Sequence, residues 1–586
     1  MTGTGPPGQP EPTPTSPSPP PEDEEPPEVR EDAEPPARAA DAEPHSQPGA
    51  GDPPQIRERP GLLERLGLER PDLIAMGVLV VVAFVLRFYS PLFPDFLTKP
   101  FQGPPISNCV QSTPVDPQNH VGTLCGLNYP FQRNYAQVGQ PPTPPDGQVF
   151  DEIYFAVFAH NDLKGVSYFD PEPPLAKYLI AAGEWGTGAF DRWFGGKSGD
   201  PADLGFNQFG WRITVLVFGT LVVPLMYLLA IQLWRNRWFA VAAGTLCCFD
   251  GMFFIQSRIG MIDVIPIFFI MASYTLFLFH LKSRSTGTAV ATLLLTGAAL
   301  GIAIASKWIA LAALASIAFF LVARPLATRV RLSVGSWTWA PRPLPLPGGM
   351  RPEPYVAAFV VALIVLPVAI YIVSWIPFFT RGQFHTFGDL VTYQWQMYQY
   401  HADLKATHPY GSKWYTWPVL LRPVAYYFES QGLGTDAVTG QPLVAGMVNL
   451  GNPIIWWASL PALVATLYFL VRDRSWPAAV ILVGFATQWL PFARVTRVMF
   501  LYHMFGGLIF MILALAFVLA RLQQTTWRTS DGEERTVTVP WLVPVFLLLA
   551  IAAFLYFYPV WTGLPIGQSS YLREFPLGKM WLRSWI

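Results

Sequence analysis

Apolar residues in this chain come in long unbroken runs separated by short polar punctuation, and the runs repeatedly approach the roughly 20 residues that a helix needs to cross a bilayer. Read this way, the sequence predicts eleven spans, near residues 73-90, 210-231, 237-255, 261-281, 287-304, 307-323, 354-378, 453-471, 476-492, 498-520 and 539-559. Two stretches break the rhythm, 91-209 and 379-452, and both are too long to be turns. Residues 1-60 carry no apolar pattern at all. They are rich in Pro, Glu and Ala, and such a segment cannot bury enough surface to offset its chain entropy, so it is read as a disordered arm. Residues 61-72 continue as a basic amphipathic stretch, suited to the cytoplasmic membrane surface.

Composition sharpens the class. The chain is 51% hydrophobic and 15% aromatic, with charged residues held to 13%, which predicts an all-α polytopic membrane protein. The formal net charge of -1 and the scatter of Lys and Arg at segment ends give no basic face, so no nucleic acid is expected as a partner. Where those cations fall matters more. "WRNRW" at 234-238, "LKSRS" at 281-285, the 324-353 loop, "VRDRS" at 471-475 and the 521-538 loop all carry Arg or Lys. The positive-inside rule then puts these loops and the N-terminus in the cytoplasm, and the two long loops and the C-terminus outside. Of the four cysteines, Cys247 and Cys248 sit in an apolar segment as packing residues. Cys109 and Cys125 share the first outer loop, and their pairing stays open.

The chemistry concentrates in "FDEIYFAVFAHNDLKGVSYFDPEPPLAKYLI", which gathers Asp151, Glu152, Asp162, Asp170 and Glu172 in a chain otherwise poor in charge. Its first half predicts a helix along the membrane surface that buries Ile153, Phe155, Val157, Phe158 and Leu163, with acidic residues at the start where the helix dipole favours them. Neighbouring helical positions diverge by about 100°, so Asp151 and Glu152 can serve two tasks. The plain alternative is that they only begin a helix. Cations stand at the outer ends of spans: Arg212, Arg258 in "QSRIGMID", Lys307 in "ASKWIA", and Arg494 and Arg497 in "FARVTRVMFLYH", which also holds His503. Each needs an anionic partner at an apolar interface. Snorkelling accounts for any one of them, less readily for five around one face.

Cations beside carboxylates at the outer surface predict a phosphate-bearing lipid substrate. The cations would hold a leaving phosphate and a carboxylate would take a proton from an incoming hydroxyl, which is the chemistry of glycosyl transfer from a lipid-linked sugar. No inside loop carries an Asp-x-Asp signature for a nucleotide sugar, and no P-loop is present for ATP.

The ordered series "FDEIYF", "FDPEPPLAK", "RITVLVFGTLVVPLMY", "QSRIGMIDVIPIFF", "GAALGIAIASKW", "HPYGSKWYTWPVLLRP" and "RVMFLYH" resembles the protein O-mannosyltransferase family, from about residue 73 to the C-terminus. The resemblance implies a GT-C glycosyltransferase architecture over 73-586. It also implies inverting transfer of mannose from a polyprenyl monophosphate mannose donor to Ser or Thr hydroxyls of exported proteins, at the outer face of the plasma membrane. Carried over by position, Asp151 would be the catalytic base, Glu152 would help place donor or acceptor, and Arg212 would organise the carboxylates and the phosphate side. Asp170 and Lys177 would shape the same loop. Arg258, Lys307, Arg497 and His503 would bind substrate, with His408 and Arg422 beside them. Membrane lipid and the Sec translocon join donor and acceptor as expected partners. No cofactor or metal site is implied, and a metal requirement stays open.

Two departures stand out. Family members commonly carry His where this chain has Glu172, which puts the role of that position in question. The 379-452 loop is too short for the β-trefoil MIR domain of eukaryotic relatives, so the chain resembles the bacterial, actinobacterial form. Alternatives are another GT-C transferase moving a lipid-linked sugar to a glycan or lipid, and a flippase. A flippase should place its ionisable residues near mid-membrane, often within repeats; here they sit at span ends.

Overall fold

The computed structural model describes residues 67–88, 149–327, 346–430, 433–528 and 534–586, with short strands at 122–124, 127–129, 332–334 and 337–339. The chain divides into Met1–Pro60 and Gly61–Ile586; the predicted arm, Cys109 and Cys125 lie outside the described residues, and the fold belongs to the second unit.

Among the described residues, nine helices are long and apolar enough to cross a membrane. With the helices between them they are α1 (Arg70–Phe88), α2 (Glu152–Lys164), α3 (Leu175–Trp193), α4 (Gln208–Leu233), α5 (Arg237–Cys248), α6 (Gly251–Gln256), α7 (Val264–Leu281), α8 (Thr286–Ser306), α9 (Leu311–Ala327), α10 (Pro352–Thr380), α11 (Phe387–Asp403), α12 (Pro453–Asp473), α13 (Trp476–Arg494), α14 (Leu501–Gln523) and α15 (Leu542–Thr562). Helices suit a bilayer because they satisfy their backbone groups internally. Several starts are fixed by one polar side chain that accepts backbone N–H groups: Asn207 for α4, Asn236 for α5, Ser285 for α8, Asn452 for α12 and Ser475 for α13. Each such cap is worth about 1 kcal/mol.

Two predicted spans differ in detail. The 237-255 run is broken at Asp250: α5 has 12 residues, about 18 Å of helix against a hydrocarbon core of about 30 Å, and the chain restarts as α6. The buried Asp250 carboxylate accepts from the N–H groups of Met252, Phe253 and Asn452 and from the Trp456 indole. Hydropathy passes over one carboxylate in such a run, whereas its hydrogen bonds set the break. The 307-323 run begins with a 3-10 turn, Trp308–Ala310, because Lys307 is extended (φ -164).

At the centre, α14 is buried at every position from Phe505 to Ala520. At the periphery, α1 turns Ile74, Val78, Val81 and Phe84 outward and α10 turns Val356, Ile364, Val368 and Val373 outward, faces suited to lipid and not to water. Helix α8 packs hard against α10: a Cβ at Gly297 would lie 1.8 Å from the Ala362 carbonyl. The protein is thus an all-α polytopic membrane protein. A small sheet of β1 (Val424–Glu429), β2 (Leu443–Asn449) and β3 (Ile566–Gly567) joins the second long loop to the C-terminal segment, with β1 and β3 antiparallel on either side of β2.

The first helix of the long loop, α2, is not a surface helix. Every residue from Ile153 to Asn161 except Tyr154 is buried, packed against α3 and, through Phe158, against an aromatic cluster of Tyr168, Trp375, Phe378, Phe384 and Tyr393. Apolar residues on all sides mark a helix enclosed by protein. Arg381, at the end of α10, seals the junction with a 2.5 Å bond to Asp162. The same cluster buries Leu390, Tyr393 and Met397 of α11, which brings that helix alongside the start of α2.

Candidate active site

Asp151 and Glu152 part company at the start of α2. The Glu152 carboxylate is fully buried and accepts four hydrogen bonds: from Arg212 Nε and Nη2, both at 2.6 Å, from the Val149 N–H at 2.7 Å and from the Gly260 N–H at 2.5 Å. Those bonds fill the acceptor positions of a carboxylate. Glu152 therefore acts on its surroundings through the segments it pins together: the approach to α2, the first turn of α4, and the turn between α6 and α7. Gly260 lets that turn come close, since a Cβ there would lie 2.7 Å from the Trp211 ring.

Asp151 is half-buried, and its side chain does not cap α2. Among the described residues its carboxylate accepts no hydrogen bond. Burial pushes its pKa up to about 7, with repulsion from Asp263 adding to the rise and attraction from Lys307 opposing it.

Asp263 and Lys307 line a cavity of about 700 Å³. Lys307 Nζ lies 2.8 Å from Asp263 Oδ1 and 3.5 Å from Glu172 Oε1. Arg494, Arg497, His401 and His503 share the lining. Among the described residues neither Arg494 nor Arg497 forms an ion pair. Burial opposes the charge of Glu172, yet Lys307, His401, Lys177 and Arg497 together hold its carboxyl below the usual range. His401 has Nε2 3.1 Å from the Pro171 carbonyl, while its buried Nδ1 has no hydrogen-bond partner among the described residues. His503 lies nearly parallel to the rings of Trp417 and Tyr502, with Nδ1 3.0 Å from the Phe500 carbonyl. Beside the polar Thr487, Gln488 and Thr496, the wall carries an apolar stretch of Ile309, Leu311, Ala312, Pro491, Phe492 and Val495, and Leu311 and Val495 are exposed. Such a lining suits a ligand with an anionic head and a long apolar tail.

The loop carrying Glu172 is held from behind. Lys177 is buried in an ion pair with Asp170 and donates to the carbonyls of Glu172 at 2.8 Å and Pro173 at 3.0 Å. The Tyr393 hydroxyl accepts the Asp170 N–H at 2.8 Å. Burial raises the Asp170 pKa, and Lys177 opposes the rise.

The predicted site residues thus fall into groups. Lys307, Arg497 and His503 meet in the cavity, with Asp151 beside it. Asp170 and Lys177 shape its edge. The five cations do not share one face: Arg212 is committed to Glu152, and the buried Arg258, 4.9 Å over the Phe254 ring, lies on the Arg212 side and outside the cavity lining. His408 and Arg422 also lie outside it. His408 Nδ1 accepts the Tyr410 N–H, and Arg422 donates to the carbonyls of Pro409 and Ser584, bracing the loop against the C-terminal segment. Sequence reasoning missed Asp263 and His401 and left Glu172 in question. Asp263 ends the same "QSRIGMID" motif that pointed to Arg258, whereas no spacing in the sequence links His401 to Lys307.

Two models of one family match the chain in tandem: dolichyl-phosphate-mannose-protein mannosyltransferase over residues 143–380, and the C-terminal four TMM region of protein-O-mannosyltransferase over residues 386–585. The polyprenol-phosphate-mannose--protein mannosyltransferase of Mycobacterium tuberculosis is 27% identical over 488 residues, covering 75% of this chain and 86% of that protein. Its namesake in Mycolicibacterium smegmatis is 28% identical over 497 residues, covering 76% and 89%. Among solved structures, the Saccharomyces cerevisiae protein O-mannosyltransferase Pmt1-Pmt2 complex bound to the sugar donor shares the fold, with a TM-score of 0.64 at 15% identity over 89% of this chain and 94% of that chain.

Proposed function

The chain belongs to the protein O-mannosyltransferase family, and from that premise we propose that it transfers mannose from polyprenyl monophosphate mannose to Ser or Thr hydroxyls of exported proteins, with Asp151 as general base. Mannose transfer to protein is the activity named for its mycobacterial relatives. One observation carries the assignment of the base. Asp151 has an uncommitted carboxylate within electrostatic reach of Asp263 and Lys307, which line the cation-rich cavity.

The reaction is a single displacement. Asp151 takes the hydroxyl proton as the oxygen attacks the anomeric carbon, and the bond from that carbon to the phosphate oxygen breaks. The leaving phosphate keeps the electron pair, and Lys307, Arg494 and Arg497 stabilise its charge. Phosphate leaves without needing a proton, so one base suffices. The polyprenyl chain runs along the apolar wall at Ile309, Leu311 and Val495. Arginine and lysine in the short connections support an N-terminus in the cytoplasm and a site on the outer face of the plasma membrane, where a segment leaving the Sec translocon would meet it.

The test incubates membranes containing the protein with radiolabelled mannosyl polyprenyl phosphate and a Thr/Ala/Pro-rich peptide. Label on the peptide, released by β-elimination, is the expected result. Label moving instead onto a glycan or lipid, from a donor shown to be intact, would identify a different GT-C transferase.

A further inference from the structure

Helix α11 carries three sets of side chains. Leu390, Tyr393 and Met397 are buried in the aromatic cluster, and Tyr398, His401 and Ala402 line the cation-rich cavity. The third set, Gln396, Gln399, Tyr400 and Asp403, joins Phe169 around a second hollow of about 510 Å³. The two linings share no residue. Asp151 lies within electrostatic reach of both: of Asp263 and Lys307 on one side and of Tyr400 on the other. Tyr154, one turn beyond Asp151, is influenced by Asp151 and Tyr400 alike.

We propose that this second hollow is the acceptor subsite, which holds an extended polypeptide segment by main-chain hydrogen bonds to Gln396 and Gln399 and disfavours acidic residues beside the acceptor hydroxyl. The proposal rests on the transferase reading. A side-chain amide offers both donors and an acceptor, so two exposed glutamines can pair with the N–H and C=O of any passing chain, whatever its side chains. They stand three residues apart on the helix, about 4.5 Å along its axis, and their flexible arms can reach a strand repeat of about 6.7 Å. The lining is polar and aromatic, which does not suit a polyprenyl tail; that tail has an apolar wall in the first cavity. The field supplies a preference. At Tyr400 the positive charge of Arg497 is opposed by the negative charges of Asp170, Asp151 and Glu172, so the exposed carboxylate of Asp403 at the hollow sets the preference and repels like charge on the acceptor.

The test measures KM for peptide and for mannosyl polyprenyl phosphate separately. In Gln396→Ala/Gln399→Ala, with two hydrogen bonds lost, peptide KM should rise about tenfold or more while donor KM holds. Wild type should prefer a Thr peptide flanked by Lys to one flanked by Glu, and Asp403→Lys should reverse that order. A peptide carrying a photoreactive residue two positions from its Thr should crosslink to residues 396–403 of the unaltered protein. No peptide labelling by wild type would sink the transferase reading and the subsite with it. If wild type labels the peptide, the subsite alone is overturned by any of three results: an unchanged peptide KM in the double variant, a rise of both KM values together, or crosslinks confined to other segments.

Discussion

Arg212 and Glu152, 60 positions apart in the chain, meet in a two-pronged ion pair with both bonds at 2.6 Å, and that pair sets the direction in which Asp151 faces. With Glu152 locked inward, the first residue of the motif keeps a free carboxylate within electrostatic reach of Asp263 and Lys307. The adjacent carboxylates are therefore unequal, one spent on holding the fold and one uncommitted.

Breaking the pair should cost stability before it costs chemistry. Glu152→Gln leaves a buried guanidinium without its counter-charge, a loss of about 3–5 kcal/mol. Arg212→Lys should not preserve the wild-type level, because an ammonium cannot reproduce the fork. Thermal unfolding in detergent should show both variants melting well below wild type; unchanged melting would deny the pair its structural role.

The rate should depend on pH through Asp151. A general base works as the carboxylate, and burial together with Asp263 raises its pKa to about 7, so kcat/KM should climb as pH rises through about 7 and then level off. Asp263→Asn removes a repelling charge, which should move the midpoint to lower pH. Lys307→Met removes an attracting one and should move it up. A profile flat across that range, or midpoints displaced in the opposite senses, would contradict the assignment.

Arg497 is half-buried in the cavity wall and forms no ion pair among the described residues. Arg497→Ala should raise the donor KM about 10- to 100-fold, as expected for a lost charge-assisted contact, with peptide KM little changed. Arg422 spends its guanidinium on backbone carbonyls, so Arg422→Ala should lower the melting temperature and spare the donor KM. Equal donor KM values in the two variants would remove the distinction.

Much of this architecture could be read along the chain, because a membrane span announces itself through twenty local residues. Among the described residues the eleven apolar runs recur as nine long helices and two shorter ones, and the motif letters pointed to Lys307, Arg497 and His503, which line one cavity. What failed to show was anything set by closure between distant segments. Glu172, Asp263, Lys307 and His401 come from four separate stretches, and only packing brings them into one cavity. The position of Arg258 relative to Arg212 was equally hidden, since two cations at span ends look alike until the helices are arranged. Helix α2 looked like a surface helix because it is short and lies next to an acidic start, whereas its enclosure comes from α3, α10 and α11. The hydrogen bonds at Asp250 likewise lie beyond the reach of hydropathy, which records a carboxylate only as a dip in a long apolar run.

The most direct test is transfer of radiolabelled mannose to peptide by Asp151→Asn, in membranes matched to wild type for protein level and donor binding. The result expected is a loss of about 10²–10⁴-fold in turnover with donor KM unaltered. Turnover near the wild-type value in a folded, donor-binding Asp151→Asn protein would show that another group takes the proton.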